Sequence, residues 1–555
     1  AMSRFASDET LLFTPVRAAA GSVRMVYAYP NVYTVGICSL GYQLVWAYYA
    51  TRDDVDVVRL FTDANEALPS TPELVGFSLS WELDYANVLS QLDSLGVAMF
   101  AADRGDDEPI VFGGGAVLTA NPEPYCAFFD VVLLGDGEDM LGAFTDAFIA
   151  ARGGGEGRRE VLRALAQVPG VYVPAFYKVQ YDGTMGPIQS IVPIDDAAPP
   201  IVEKQTYRGE NLATSTVVSP IMAWENIYMV EVVRSCPEMC RFCLASYLTL
   251  PFRAADLDNA LIPSIERGLQ FTDRLGLLGA SVTQHPEFPR LIEYLCRPEM
   301  AHVRMSIASV RTNTVTLELA GMLARRGTKS LTVAVESGSP RVRQIVNKKL
   351  EQEEIMIAAA NAQEGGLEKL KLYGMVGVPG EEDDDVEETI QMMKDVREAA
   401  PRLGLTLGCS TFVPKSHTPF QWYGVDRGGS KKLTRLEKAM RQLHVDFRPE
   451  SYKWSVVQGL LSRGDRRITP LLLRVREYGD TLGSFKRAFK DMDGELPPLE
   501  YYVHRDFQPG SEMLPWSHIQ GPLPEATLAK HASEAREHFN PGWARGKSGG
   551  GGAEG

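Results

Sequence analysis

The chain has 555 residues, a formal net charge of −15, 45% hydrophobic and 23% charged residues, a balance that places it among ordinary globular proteins with two or three sizeable cores. No uninterrupted apolar stretch is long enough to span a membrane, and the acidic balance argues against a broad polyanion-binding surface, leaving only local basic patches for a nucleic acid and favouring small molecules or a specific protein as partners. Seven cysteines, an odd and sparse count, with no secretory leader, argue against a disulfide framework and predict a reducing compartment: the cytoplasm, or an organelle stroma or matrix once a transit peptide has been removed.

Residues 1–20 lack periodicity and read as an N-terminal arm. From Gly21 to about residue 150 the pattern is that of a parallel sheet: "SVRMVYAYP" is a strand, "LGYQLVWAYYA" has helical spacing, and "VDVVRLF" and "ELVGFSLS" are further buried strands. "EPIVFGGG" ends a strand in Gly113, Gly114 and Gly115, and "DVVLLGDGEDML" runs from a strand through Gly135 and Gly137 into a helix starting near Asp139. An open α/β sheet binds ligands at the C-terminal edges of its strands. Ser78 and these five glycines are therefore candidate ligand contacts, although tight turns alone would use the same glycines.

Residues 151–224 read as a linker with short strands, opening on the glycine- and charge-rich "ARGGGEGRRE". A second alternating run occupies 225–430. Ile227 to Val233 is a strand, and "RLGLLGAS", "HVRMSIAS", "SLTVAV", "KLKLYGMV" and "LGLTLGCSTFV" follow, separated by helical stretches. This pattern predicts an incomplete β/α barrel with its chemistry at the C-terminal strand ends.

The first of those ends carries "RSCPEMCRFC", in which Cys236, Cys240 and Cys243 read C-x3-C-x2-C with Phe242 before the last. Structural zinc wants four ligands, and no second cysteine or cysteine/histidine pair completes such a set. Three thiolates on a 4Fe-4S cluster leave one iron open. This spacing, with its aromatic residue, resembles the cluster loop of the radical S-adenosylmethionine (SAM) superfamily. The resemblance implies a 4Fe-4S cluster on the three cysteines, SAM on the fourth iron, cleavage to a 5'-deoxyadenosyl radical, and an external electron donor of flavodoxin or ferredoxin type.

Other strand ends supply the SAM contacts that the resemblance implies. "ESGS" brings Glu336 and Ser337, and "SIASVRT" brings Ser309 and Arg311, whose planar fork suits a carboxylate but equally a surface salt bridge. Gly279, Ala280 and Ser281 stand where the family has G-G-E, so backbone carbonyls and Ser281 take over that contact. Gly377, Pro379 and Gly380 resemble the family's turn after the fifth strand, and Phe242 completes the set. His285 is a candidate proton handler or, alternatively, a capping histidine. The acidic run after Gly380 reads as a helix N-terminus.

The order "GFSLS", "GGG" with "NPEP", then "GDGE", ahead of the cysteine loop, resembles the cobalamin-binding domain of one branch of this superfamily. In place of the D-x-H-x-x-G pattern the chain has Cys38, Ser39 and Leu40, and no histidine precedes His285. The resemblance therefore implies cobalamin without a histidine lower ligand, or a domain that has lost the cofactor.

"FVPKSHTPFQWYG" follows the sixth strand and places Lys415, His417, Gln421 and Trp422 as candidate substrate contacts at the barrel mouth. With "YYVHRDF" and "EMLPWSHI", it resembles a poorly characterised group of radical SAM proteins with a cobalamin-type N-terminal domain. Residues 431–525 read as a helical domain covering the mouth or holding a partner, and 526–555 as a helical or disordered tail ending in "GKSGGGGAEG". The expected fold is α/β: a Rossmann-like open sheet, a partial (β/α)6 TIM-like barrel and a mainly helical C-terminal domain. The expected activity is reductive SAM cleavage in a cobalamin-dependent C-methyltransferase of unidentified substrate. The alternatives are radical SAM chemistry without functional cobalamin (rearrangement, cyclisation or thiolation) and a non-catalytic iron–sulfur assembly factor.

Overall fold

Hydrophobic runs buried on both faces build the first sheet. In the computed structural model, which describes residues 5–541 apart from 156 and 309, its strands are β1 (Val23–Ala28), β2 (Val55–Leu60), β3 (Leu74–Ser78), β4 (Ile110–Gly114), β5 (Val131–Leu133) and β6 (Val171–Tyr172). Their order is β2-β1-β3-β4-β5-β6, parallel except for β6. All five residues of β3 are buried, as a strand covered by helices on both faces requires. Sequential connections turn one way from β1 to β2 and the other way to β3, so the strand order reverses beside β1, where open sheets bind ligands.

Six further parallel strands carry the second layer: β7 (Ile227–Arg234), β8 (Arg274–Gly279), β9 (Arg304–Ile307), β10 (Ser330–Glu336), β11 (Lys369–Val376) and β12 (Gly404–Thr411). Hydrogen bonds join β7-β8-β9 and β10-β11-β12, and a parallel bridge between Val310 and Val333 connects the two groups. A seventh strand, β13 (Asp446–Pro449), extends the run beside β12. Alternation assigns the faces: Leu370 and Leu372 are buried beneath the surrounding helices while Lys371 and Tyr373 face the lumen. The expected partial barrel is present with all six expected strands.

The structure departs from expectation outside these sheets. Residues of the opening arm are ordered from Phe5: Thr10–Leu11 pairs with Val217–Val218, Phe5 is buried against Tyr33 and Phe61, and Glu9 meets the buried Arg59 at 2.8 Å. Residues 151–224 are not all connection, because the helix Arg158–Ala166 and β6 complete the first sheet. The helix after β5 begins at Gly137, two residues before the expected Asp139. Gly429–Gln442 packs in the barrel core through Leu433, Leu436 and Met440, so residue 431 falls inside a barrel helix.

The helices Tyr452–Arg463, Thr469–Glu477 and Leu482–Asp491 share one apolar core with the first sheet. Polar ties fix this docking: Asn121 donates to Ser462 O and Gly464 O at 3.1 and 2.9 Å, and Glu123 pairs with Arg466 at 2.6 Å. "GKSGGGGAEG" lies outside the described residues. Among the described residues no helix is long and apolar enough to cross a membrane.

Candidate functional site

β7 ends at Arg234, and the chain turns sharply because Ser235 and Met239 adopt left-handed backbone, φ 68° and 55°. The resulting loop carries Cys236, Cys240 and Cys243, none in a disulfide. Its bed is the turn after the helix Pro340–Ile345. Arg241 N–H donates to Val346 O at 2.9 Å, and its guanidinium donates to Gln344 O and Ile345 O, both at 2.9 Å. Asn347, itself left-handed at φ 57°, donates to Glu238 O and Met239 O at 3.1 and 2.9 Å. The helix Glu525–Arg536 backs the loop through Tyr247 and His531, 2.9 Å apart, and through Arg241 and Glu534, 3.2 Å apart.

Burial pushes the Cys240 thiol up to about 12 and raises that of Cys243, while the Lys348 ammonium pulls Cys240 the other way. A thiol coordinated to a metal is deprotonated outright, which offsets such a cost. Among the described residues no three histidine, cysteine or acidic side chains converge as a single-ion site. Three free thiols on one loop fit instead a 4Fe-4S cluster whose separate irons each take one thiolate.

Around the loop the strand ends are heavily cross-linked. Ser281 Oγ donates to Gln284 Oε1 at 2.5 Å, and the same oxygen lies 3.8 Å from Cys236 Sγ. Gln284 Nε2 donates to Glu238, whose carboxylate also pairs with Arg311. Arg311 further donates to Lys349 O at 2.6 Å and Asn313 Oδ1 at 2.8 Å, so its guanidinium is committed to the cysteine loop's own acid. Glu336 ends β10 in left-handed backbone, φ 65°, and meets Lys348 at 3.1 Å. Burial opposes the charge of Lys348, but Glu336 and Cys240 outweigh it and raise its pKa. Ser309 lies outside the described residues.

Several expected contacts have structural employment. Ser337 is buried, with its Oγ accepting from Ser339 N–H at 3.1 Å. Phe242 packs with Val342, Phe412 and Phe420. Gly377, at φ 76°, donates its N–H to Glu381 at 2.6 Å, and Glu381 pairs with Lys432 at 2.9 Å. His285 accepts from Glu287 N–H at Nδ1, 3.0 Å, so its Nε2 donates to Ala255 O at 2.7 Å. Both nitrogens are occupied, which corrects its reading as a proton handler.

A cavity of about 530 Å³ lies between the C-terminal edge of the first sheet and the base of the cysteine loop. The sheet side brings Ser78, Gly114, Gly115, Gly135 and Gly137; the barrel side brings Arg234, Ser235, Gly279 and Ala280. Leu44, Phe77, Phe112 and Leu141 give it apolar walls. Ser235 Oγ is buried and makes no hydrogen bond among the described residues. Gly113 does not line it: a Cβ there would stand 2.5 Å from Leu118 Cδ1 and 2.6 Å from Phe129 Cε1, inside the core. Gly115 and Gly135 have φ 105° and 111°, and their Cβ positions meet Leu79 O and Gln205 O at 2.5 and 2.1 Å. Those two glycines serve backbone crossings, whereas Gly114, with Leu133 O at 3.7 Å, has room.

Charged groups clasp the cavity from both sides. Arg234 pairs with Glu138 at 2.7 Å, Glu231 at 2.8 Å and Asp136 at 3.5 Å, and Asp136 also meets Arg253 at 2.7 Å. Burial works against the Arg234 charge, but Glu231 and Glu138 outweigh it and raise its pKa. No histidine lines this cavity among the described residues.

The "FVPKSHTPFQWYG" residues do not gather at the barrel mouth. Lys415 pairs with Glu82 of the first sheet's β3 loop. His417 and Gln421 are buried with Trp516, whose Nε1 donates to Gln421 at 2.8 Å, and Trp422 packs with Tyr247, Phe507 and Leu514. Burial holds the His417 pKa down to about 4. Lys415 and Trp422 tie distant segments together, while His417 and Gln421 line a separate cavity of about 290 Å³ with Trp516 and Leu528, which corrects their expected placement at the barrel mouth.

Glu238, Gln284, Asn347 and Lys348 were missed from sequence. Their signal was position: Glu238 lies inside C-x3-C, Gln284 adjoins His285, and "NKK" follows the helix after "ESGS".

Comparison with known proteins bears on this arrangement. A family model described as "Radical SAM proteins, N-terminal" matches residues 41–174, and one described as "Radical SAM superfamily" matches residues 230–393. The two together span more than half of the chain. An uncharacterized protein of Methanocaldococcus jannaschii is 27% identical over 452 residues, 80% of this chain and 89% of that protein. A Pyrococcus horikoshii protein named as an uncharacterized methyltransferase is 23% identical over 332 residues, 58% of this chain and 64% of that protein. The structure of the radical S-adenosylmethionine methyltransferase TsrM from Kitasatospora setae, with cobalamin and a 4Fe-4S cluster bound, aligns with a TM-score of 0.48 at 14% identity, covering 72% of this chain and 77% of that one.

Proposed function

We propose, from the premise that the chain belongs to the radical SAM superfamily, that this radical SAM enzyme is a cobalamin-dependent C-methyltransferase. The observation carrying the methyltransferase reading is the cavity shared by the glycine edge of the first sheet and the residues leading into the cysteine loop. A corrinoid held there would adjoin the cluster site, and the methyltransferase name of the Pyrococcus horikoshii relative agrees with that use.

A cluster bound here would supply one electron to SAM, and a corrinoid would supply the methyl group. The chain does the rest. Cys236, Cys240 and Cys243 would hold the iron, and Glu336, oriented by Lys348 at 3.1 Å, would offer a carboxylate to SAM. Gly279 and Ala280 expose backbone at the junction of both sites. The apolar walls Leu44, Phe77, Phe112 and Leu141 exclude water from a reactive carbon radical. No histidine is among the described lining residues, so a corrinoid would be held by Ser78, the glycine backbone and the apolar walls.

The test is anaerobic reconstitution of the full chain with iron, sulfide and hydroxocobalamin, followed by desalting and metal analysis. About four irons and about one cobalt per chain, with 5'-deoxyadenosine formed from SAM on reduction, support the reading. About four irons and 5'-deoxyadenosine without cobalt replace it with radical SAM chemistry lacking a corrinoid. Iron without any SAM cleavage leaves the assembly-factor reading.

A further inference from the structure

At the N-terminal end of the barrel strands, opposite the cysteine loop, a cavity of about 940 Å³ opens among β10 to β13 and the loops preceding them. Its lining brings together Lys369, Lys371, Arg397, Arg402, His444 and Arg448. Among the described lining residues Asp446 is the sole carboxylate, and it is paired with Arg448 at 2.7 Å. In a chain of net charge −15 this is a local reversal of sign.

Two of the cations, Lys371 and Arg397, are held by neutral partners. Lys371 Nζ donates to the Tyr373 hydroxyl at 2.9 Å and lies 4.5 Å from its ring centre. Arg397 donates to Leu403 O at 2.8 Å and His444 O at 3.2 Å, so its charge is fixed in place without being neutralised. Lys369 and Arg402 are exposed. The neighbouring strand is shaped for the lysine stems. A Cβ at Gly404 would stand 3.0 Å from Lys369 Cγ, and one at Gly408 would stand 3.0 Å from Tyr373 Cδ1 and 3.3 Å from Lys371 Cε. These two glycines, four apart on β12, share one face and leave the groove in which both lysines lie.

We infer that this cavity is a binding site for a small phosphate-bearing anion, separate from the cysteine site. Like charges gathered around a concave space repel one another, and a multiply charged anion relieves that cost where a chloride would not. The guanidinium groups of Arg397, Arg402 and Arg448 suit the paired oxygens of a phosphate. The lining reaches Lys371, five residues before the end of β11 at Val376, so this cavity lies about 17 Å or more from the strand ends that carry the expected SAM contacts. Its occupant is therefore not the reacting part of a small substrate, and the inference does not depend on whether a corrinoid binds.

Isothermal titration calorimetry of the full chain with inorganic pyrophosphate, at ionic strength held constant with chloride, tests this. Citrate, a multiply charged carboxylate, is titrated in parallel. The expected result is one saturable site, weakened at least ~10-fold in the Lys369→Ala/Arg402→Ala variant and weaker for citrate than for pyrophosphate. Both substituted side chains are exposed, and the variant's thermal midpoint is measured first. If that midpoint falls, the single variant Lys371→Gln must show the same loss of affinity. Absence of saturable binding to the wild type, undiminished affinity in the variants, or citrate binding as tight as pyrophosphate would overturn the inference.

Discussion

Glu138, on the glycine-rich edge of the first sheet, pairs at 2.7 Å with Arg234, the last residue of β7 and two positions before Cys236. The acids of the "GDGE" segment thus act on the cysteine loop directly. Arg234 joins Glu138, Asp136 and Glu231 in one cluster, so the sheet edge and the cluster loop share their electrostatics.

Replacing Arg234 by Met leaves Glu138 and Glu231 in a half-buried site without their cation. The expected cost is about 3 kcal/mol in urea unfolding of the apo chain, with faster loss of iron from the reconstituted protein. Glu138→Gln, which keeps a hydrogen-bonding partner for Arg234, should cost less than half as much.

Cys240→Ala removes a buried thiol with little change in volume. Far-ultraviolet circular dichroism should match the wild type, while iron falls from about four per chain to below about one and 5'-deoxyadenosine formation is lost. Normal iron content in this variant would remove Cys240 from the ligand set.

Lys348 places an ammonium beside the cysteine loop, countered by Glu336 at 3.1 Å. A nearby cation stabilises the cluster's reduced, more negative state. Lys348→Met should therefore shift the midpoint in an electron paramagnetic resonance redox titration to more negative potential, and Lys348→Arg should stay near wild type. An unchanged midpoint in Lys348→Met would rule out this charge effect.

The two kinds of glycine separate by substitution. Gly135→Ala forces a side chain onto φ 111° and to 2.1 Å from Gln205 O, and should destabilise the fold by about 3 kcal/mol or more. Gly114→Ala meets nothing closer than 3.7 Å and should unfold as wild type does. If a corrinoid occupies the cavity, Gly114→Ala should lower cobalt uptake without changing iron content.

His417 contributes a pH dependence of known sign. Burial, with the nearby His518 and Lys204 charges, depresses its folded pKa to about 4, below the ordinary value near 6.5. The unfolded chain therefore binds this proton first as pH falls. Its stabilisation is complete above about 6.5 and is lost progressively as pH falls to about 4, by up to ~3 kcal/mol. His417→Asn, which tolerates the left-handed backbone at φ 58°, should flatten that part of the stability curve. An unchanged curve would show that His417 is not its source.

Local signals determined much of this protein. Short continuous apolar runs located both parallel sheets, because strands buried on both faces are written in adjacent residues. C-x3-C-x2-C located the loop proposed to hold the cluster, because its three thiols lie within eight residues of one another. Gly114, Gly115, Gly135 and Gly137 marked the cavity edge, although Gly115 and Gly135 are there because close backbone crossings leave no room for a side chain.

Only the tertiary structure decided what those residues meet. Arg311 had two sequence readings, and the fold chose Glu238, which lies 73 positions away in the chain. Lys415, His417, Gln421 and Trp422 follow a barrel strand and so looked like site residues, yet Lys415 pairs half-buried with Glu82 of the first sheet's loop, and His417, Gln421 and Trp422 are buried against segments about a hundred residues away. Residues 431–525 read as a helical domain covering the mouth or holding a partner, but the apolar faces of the helices Tyr452–Arg463, Thr469–Glu477 and Leu482–Asp491 join the first sheet's core. Periodicity tells that a face is apolar; it carries no information about which of several apolar surfaces, hundreds of residues apart, will cover it. That choice comes from complementary shape and from specific pairs such as Glu123 with Arg466, and these exist only once the chain has folded.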